Sequence, residues 1–208
     1  MIAALAAGNR VMVKMSENSR HVAKLLIERM PAYFARDKLS FFDETGGVGI
    51  AFSKLAFDHL LFTGSGQTGR AVMAAAAQNL CPVTLELGGK SPAIVCADFP
   101  LRTAAERILY VKLLNAGQIC TTVDHVWMPH DRIPEFVRFA QEIVPLRYRT
   151  LDTKDYTSII DERSFTRLTA ALDEAKERGA TMIPLIHGEA WNVSLRKINP
   201  HLVLDAPE

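Results

Sequence analysis

An apolar run followed by closely spaced glycines places the strongest constraint on how this chain folds. His59 to Thr63 forms the run, Gly64 to Gly69 has the pattern G-x-G-x-x-G, and an alanine-rich helical pattern covers Arg70 to Leu80. An almost entirely apolar strand between helices is typical of a parallel sheet that is covered on both faces. The order of strand, glycine turn and helix therefore predicts an α/β protein.

The same alternation continues along the chain. Further strands are predicted at Arg10 to Met15, Leu39 to Phe42, Val83 to Leu87, Ala93 to Cys96, Val123 to Met128, Met182 to Ile186 and Leu202 to Leu204. Further helices are predicted at Val48 to Leu55, Thr103 to Leu114, Ile133 to Val144 and Ser164 to Arg178. The double glycine after Glu86 is the best position for a domain boundary, which gives segments 1–87 and 88–208. Leu146 to Tyr156 has no periodicity and predicts a surface loop.

Composition excludes several classes of function. The 24 basic and 23 acidic residues leave a net charge of +1, which gives no field for collecting nucleic acid or an anionic membrane. The 3 cysteines show no CxxC spacing and the histidines no metal-binding spacing, so we expect a reducing cytoplasm and no metal. Met1 to Ala7 lacks a basic flank and predicts the tail of a helix rather than a signal peptide.

Cys120 is a candidate nucleophile. It ends the stretch Asn115 to Cys120, which places a thiol after a glycine-containing bend, behind a helical pattern and before a predicted strand. A reactive side chain is held on a rigid support in this way. The alternative is that Cys120 is a small buried apolar residue, as many free cysteines are. His125 and His130 follow closely, but their positions favour packing or solvent-facing roles over a Cys-His pair.

Two interpretations compete for Glu86. The glycine pattern after a strand is typical of a phosphate-binding turn, and an acid roughly 20 residues later binds the ribose in dinucleotide sites, a position that Glu86 occupies. Glu86 also lies between Leu85 and Leu87 at a predicted strand end, where partial desolvation would suit a general base. A solvent-facing carboxylate is the third alternative, and spacing alone does not decide among them.

Three motifs together resemble those of the aldehyde dehydrogenase superfamily. They are Phe62 to Gly69, Leu85 to Pro92 and Asn115 to Cys120, which follow the family's order and its spacing between acid and thiol. Tyr156 to Arg163 is similar to the coniferyl aldehyde dehydrogenase branch. The resemblance implies part of a Rossmann-like coenzyme-binding domain over 1–87, followed by part of an α/β catalytic domain over 88–208.

The resemblance implies that Cys120 is the nucleophile and that Glu86 is the general base rather than a ribose ligand. The expected reaction oxidises an aldehyde, with NAD or NADP as coenzyme, to a carboxylic acid through a cysteine thioester. A CoA-acylating relative and a non-catalytic nucleotide-binding protein are the alternatives. Glu86 favours hydrolysis over transfer to CoA, because transfer to a thiol needs no hydrolytic base.

The coenzyme residues are also implied by the resemblance. Lys14 and Glu17 match contacts to the adenosine ribose, Gly64, Ser65 and Gly69 belong to the phosphate-facing turn, and Leu87 and Gly88 match backbone near the nicotinamide. Gly66 stands where relatives often carry threonine. Glu17 leans toward NAD, although some relatives accept both coenzymes.

Two family motifs are missing from this sequence. No Pro-Trp-Asn precedes Lys14, and no Glu-x-Phe-Gly-Pro occurs before Glu208. Trp191-Asn192 does not replace the first motif, because it lies far downstream in a predicted loop after Gly188. We therefore expect a fragment truncated at both ends, whose 208 residues are inactive or barely active by themselves. The full-length enzyme is expected to be a homodimer or homotetramer acting on a small aldehyde.

Overall fold

The computed structural model describes residues 1–206, and the chain separates into two compact units, Met1–Leu87 and Gly88–Glu208. The last two residues of the predicted segment 88–208 lie outside the described residues. In the first unit the helices are α1 (Ile2–Ala6), α2 (Arg20–Arg29), α3 (Val48–Ser53) and α4 (Gly66–Ala77), and the strands are β1 (Val11–Lys14), β2 (Leu39–Phe42), β3 (Leu60–Gly64) and β4 (Val83–Leu87).

The second unit has helices α5 (Leu101–Leu113), α6 (Ile133–Arg147) and α7 (Glu162–Glu177). Its strands are β5 (Ser91–Ile94), β6 (Val123–Trp127), β7 (Thr181–Pro184), β8 (Trp191–Asn192), β9 (Lys197–Ile198) and β10 (His201–Leu204). Short 3₁₀ turns cover Glu17–Ser19, Met30–Ala32, Leu114–Gly117 and His130–Arg132.

Strand pairing confirms the α/β class, with one correction. Within the described residues β1 pairs with β2, β3 with β4 and β5 with β6 in parallel, whereas β7 with β10 and β8 with β9 are antiparallel. The prediction that the sheet is covered on both faces is wrong for β3, because Leu60 is buried while Leu61 is exposed. Leu60 packs with Val72 and Ala76 of α4, and the alternating side chains point to the uncovered face.

The core of the second unit centres on α5 and α6. Ala105 of α5 and Ala140 of α6 are fully buried, and Leu109, Ile143 and Val144 complete this part of the cluster. Small residues at a helix contact let the two backbones approach closely, and the larger neighbours fill the remaining space. This packing gives a rigid base to the turn that follows α5.

Three local predictions were wrong. Helix α4 begins at Gly66 rather than Arg70, because Ser65 caps it. The predicted surface loop includes Leu151 and Tyr156, which are only 7% and 5% exposed and belong to the core. Trp191 and Asn192, expected in a loop, form β8 opposite β9.

Candidate active site

The turn from β3 into α4 presents an open helix N-terminus. Ser65 Oγ accepts a hydrogen bond from the backbone N–H of Thr68 at 3.2 Å, and Ser65 itself is exposed. The first turn of a helix carries N–H groups without intrahelical partners, which together with the helix dipole favour a bound anion. A Cβ atom at Gly66 would meet nothing within 4 Å, so the space over this turn is free within the first unit.

The glycines of this turn differ in their surroundings. Gly69 is buried, and a Cβ atom there would lie 3.0 Å from Leu87 Cδ2, so Gly69 allows α4 to pack closely on the end of β4. Gly64 pairs with Leu87 in register, which places these two predicted coenzyme residues side by side at the carboxyl ends of β3 and β4. Ligands of open parallel sheets bind beyond such strand ends. Gly88 follows directly as the first residue of the second unit.

Glu86 lies on the exposed side of β4. Its neighbours Leu85 and Leu87 are half-buried, and Thr63 of β3 is its register partner. The expected partial desolvation of this carboxylate is therefore wrong for the described residues. Successive side chains of a strand point to opposite faces, so the flanking leucines face α4 and do not enclose Glu86.

Lys14 ends β1 and forms an ion pair with Glu44, a contact that sequence reasoning missed. Glu44 Oε1 also accepts from the backbone N–H of Gly49 at 3.4 Å. The hydrogen bond from Lys14 is the main cause that holds the pKa of Glu44 below its ordinary value, and it outweighs the opposing effect of burial. An ammonium has three donors, so Lys14 keeps further donors for a ligand.

Glu17 lies three residues beyond Lys14 at the start of the 3₁₀ turn Glu17–Ser19. Ser16 caps this turn by accepting from the backbone N–H of Asn18 at 3.2 Å, and Glu17 is exposed. A cavity of about 460 Å³ in the first unit is lined by Ser16 and Glu44 among other residues. Neither Glu86 nor Cys120 lines this cavity.

Cys120 is displayed on a strained turn between α5 and β6. Asn115, Ala116 and Gly117 have φ values of 53°, 52° and 78°, so three consecutive residues adopt the left-handed conformation, which glycine adopts readily, asparagine tolerates and alanine disfavours. The thiol is exposed, so the alternative of a buried structural cysteine is wrong. Thr122 closes the turn by donating to the carbonyl of Val111 at 3.3 Å.

Charged side chains surround the base of this turn. Lys112 lies against Gly117, and burial is the main cause that lowers its pKa, with Asp124 opposing the effect. Burial disfavours ionisation of Asp124, but Lys90, which binds it at 2.8 Å, keeps its pKa below the ordinary value. His125 is exposed and its Nδ1 lies 3.5 Å from Asp124 Oδ2, which favours the solvent-facing role over pairing with Cys120.

Neither a metal-binding cluster nor a membrane-spanning helix occurs in the part of the chain that the structure describes. Among residues 1–206, no group of three His, Cys, Asp or Glu side chains could hold a metal ion. No described helix combines the length and apolar character required to cross a membrane.

Comparison with known proteins assigns the chain to a family. The model of the aldehyde dehydrogenase family matches residues 1–203. The chain belongs to the aldehyde dehydrogenase family. A "Probable coniferyl aldehyde dehydrogenase" of Pseudomonas aeruginosa is 52% identical over 88% of this chain and 38% of its own length. The coniferyl aldehyde dehydrogenase of Pseudomonas sp. is 42% identical over 98% of this chain and 43% of its own length.

Solved structures of aldehyde dehydrogenases share the fold. The substrate-bound state of Staphylococcus aureus AldH superposes with a TM-score of 0.86 at 29% identity, covering 97% of this chain and 43% of that one. A NAD-dependent benzaldehyde dehydrogenase from Corynebacterium glutamicum gives 0.81 at 26% identity, covering 98% and 45%. This aldehyde dehydrogenase chain thus spans about two fifths of the length of the curated relatives it matches.

Proposed function

We propose that this chain carries the nucleophile and coenzyme-binding segments of an NAD(P)-dependent aldehyde dehydrogenase that converts an aldehyde to its carboxylic acid. The exposed thiol of Cys120, on a fixed turn in a chain of this family, is the observation that carries the proposal. Relatives named for coniferyl aldehyde support an aromatic aldehyde as the substrate. We also propose that the complete enzyme is cytoplasmic and assembles as a homodimer or homotetramer.

The first step is attack by the Cys120 thiolate on the aldehyde carbon, which forms a C–S bond and an oxyanion. The backbone N–H of Cys120 is one donor for that oxyanion. Loss of hydride from the same carbon then oxidises the adduct to a thioester. The left-handed turn fixes the backbone before Cys120, so nucleophile and oxyanion donor are positioned by one short segment.

The residues present fit a dinucleotide. The exposed first turn of α4 offers N–H groups to phosphate oxygens, Gly66 leaves room for close approach, and Lys14 retains donors for ribose hydroxyls. When bound, oxidised NAD or NADP accepts the hydride. Glu17 favours NAD through repulsion of a 2′-phosphate, while a rat relative is named as NADP-preferring.

Glu86 completes the cycle as the general base. Its carboxylate removes a proton from a water molecule, which attacks the thioester, breaks the C–S bond and releases the carboxylate product and the thiol. Exposure of Glu86 within the first unit leaves it accessible to water.

The test compares aldehyde-dependent NAD(P)H formation by the complete protein and its variants, with coniferyl aldehyde or benzaldehyde as substrate. Cys120→Ala should abolish the reaction, whereas Cys96→Ala, which removes the other exposed thiol, should leave it unchanged. Glu86→Gln should retain one rapid turnover per thiol and lose steady turnover. Normal activity of Cys120→Ala would eliminate the proposed nucleophile.

A further inference from the structure

Gln118, two residues before Cys120, joins the cysteine turn to a distant segment. Its side-chain Nε2 donates to the carbonyl of Ser158 at 3.1 Å, and its Oε1 accepts from the backbone N–H of Ile160 at 2.9 Å. In a parallel ladder a residue bonds to its partner strand in the same way, with the C=O before and the N–H after the facing residue. The Gln118 amide therefore imitates a peptide group paired opposite Ile159.

The segment 158–160, which we call the strap, is fixed from its other side. Ile159 is 4% exposed, and its N–H donates to the carbonyl of Arg196 at 2.7 Å. Arg196 Nε donates back to the carbonyl of Ile159 at 3.3 Å. Asp161, directly after the strap, caps α7 by accepting from the N–H of Ser164 at 2.7 Å. The strap is thus a stationary support to which Gln118 attaches the turn.

The turn itself needs such a support. Asn115 and Ala116 adopt left-handed backbone conformations that disfavour non-glycine residues, and such conformations persist when the surroundings determine them. Gln118 supplies part of that determination, since its Nε2 also donates to the carbonyl of Asn115 at 3.0 Å. Asn115 Nδ2 returns a bond to the carbonyl of Gln118 at 3.2 Å.

We propose that Gln118 is a positioning residue, which holds the Cys120 turn against the strap so that the thiol and its backbone N–H keep one geometry. The proposal rests on the proposed function, because it assigns Cys120 as the nucleophile. Ile160 is exposed and Ser158 is half-buried, so water can replace the Gln118 amide as the hydrogen-bond partner of both residues when that side chain is removed. Loss of Gln118 therefore changes the position of the thiol much more than the stability of the fold.

Gln118→Ala tests the positioning role in the complete protein, and Gln141→Ala, at an exposed glutamine, is the matched control. Hydrogen exchange at the Ile160 amide should become faster in Gln118→Ala only. The kcat should fall about 10- to 100-fold, since small displacements of a reacting group have effects of this size. The KM for the coenzyme should change by less than about twofold, because the substitution removes none of the groups proposed to bind the coenzyme.

Gln118→Glu adds a readout that a purely structural role would not move. An ionised carboxylate still accepts from Ile160 but repels the carbonyls of Ser158 and Asn115, whereas the protonated acid can donate to one of them. The activity of this variant relative to the wild type should therefore rise as the pH falls. If the ratio of the activity of Gln118→Glu to that of the wild type does not change with pH, Gln118 is not a positioning residue.

Other outcomes are equally decisive. Unchanged kcat in Gln118→Ala, unchanged exchange at Ile160, or a kcat loss equal to the loss of folded protein each overturns the positioning role. Full activity of Cys120→Ala overturns the proposed function instead. If Cys120→Ala is inactive and Gln118→Ala is fully active, the assignment of Cys120 as nucleophile stands and only the positioning role of Gln118 is overturned.

Discussion

Lys14 at the end of β1 and Glu44 in the segment before α3 form a partly buried ion pair that ties together two parts of the first unit. Glu44 also receives a bond from the N–H of Gly49 within α3. The pair orients the ammonium while leaving other donors available. We therefore expect Glu44 to orient Lys14 in the proposed coenzyme site.

Replacing Glu44 should remove a pH-dependent contribution to stability. Because Lys14 lowers the pKa of Glu44 in the folded protein, the ion pair stabilises the fold above the unfolded pKa, and this contribution is lost as pH falls through the lower folded pKa. Glu44→Gln should reduce the free energy of unfolding by about 1 kcal/mol at neutral pH. The difference from wild type should shrink as the pH falls below 4.5, measured by urea denaturation.

Asp43→Asn is the matched control for Glu44→Gln. Asp43 lines the same cavity but bonds to Thr45 rather than to Lys14. Its replacement should leave that pH dependence in place. An equal loss in both variants would show that the Lys14 contact is not the cause.

Changes at Ser65 should separate helix capping from coenzyme binding. Ser65→Ala removes the bond to the Thr68 N–H and should cost about 1 kcal/mol of stability. Ser65→Asp keeps a good cap, yet its charge repels the phosphates expected at this helix start, so stability should be retained while NAD(P)⁺ binding weakens. Urea denaturation and calorimetric titration measure the two effects. Unweakened binding in Ser65→Asp would contradict a phosphate site here.

Gly117 should be intolerant of a side chain. Its φ of +78° disfavours other residues, and a Cβ atom would lie 3.2 Å from the backbone oxygen of Lys112. Gly117→Ala should therefore destabilise the second unit by about 1 to 3 kcal/mol. At Gly89 a Cβ atom meets nothing within 4 Å, so Gly89→Ala should change the thermal midpoint little. Equal midpoints for both variants would contradict the strain assigned to this turn.

The sequence predicted the regular elements because their periodicity is local. β2 and β4 occur where the alternation of side chains places them, over Leu39–Phe42 and Val83–Leu87. Strands β8 and β9 have two residues each, too few to carry a periodic signal. Their pairing is a tertiary contact that no local pattern encodes.

The candidate site shows the same division between local and long-range information. Resemblance to family motifs predicted roles for Lys14 and Cys120, whose local surroundings are short and distinctive, and those roles stay predictions. Glu44 lies 30 residues from Lys14, and Ile160 lies 42 residues from Gln118. These partners are chosen by folding, so their roles could not be read from neighbouring residues. The partial desolvation expected for Glu86 was wrong for a different reason, because strand alternation turns its side chain away from the leucines expected to enclose it.

Asn199 should be the most sensitive polar residue of the second unit. It is 1% exposed, its Oδ1 accepts from the N–H of Ile186 at 3.1 Å, and its Nδ2 donates to the carbonyl of Ile186 at 2.6 Å. Asn199→Ala leaves both buried backbone groups without these partners and should cost about 2 to 4 kcal/mol. Asn18→Ala, at an exposed position, should reduce the free energy of unfolding far less. Urea denaturation of both variants measures the difference.

Asn199→Asp tests the same network through pH. The carboxylate can accept from Ile186 N–H, but it lacks donors for the carbonyl of Ile186, and burial raises the pKa of such a group. A folded pKa above the unfolded value means that this variant is penalised at neutral pH and recovers stability as the pH falls toward 4. A stability difference between Asn199→Asp and wild type that does not change with pH would show that the side chain is not held in the buried network.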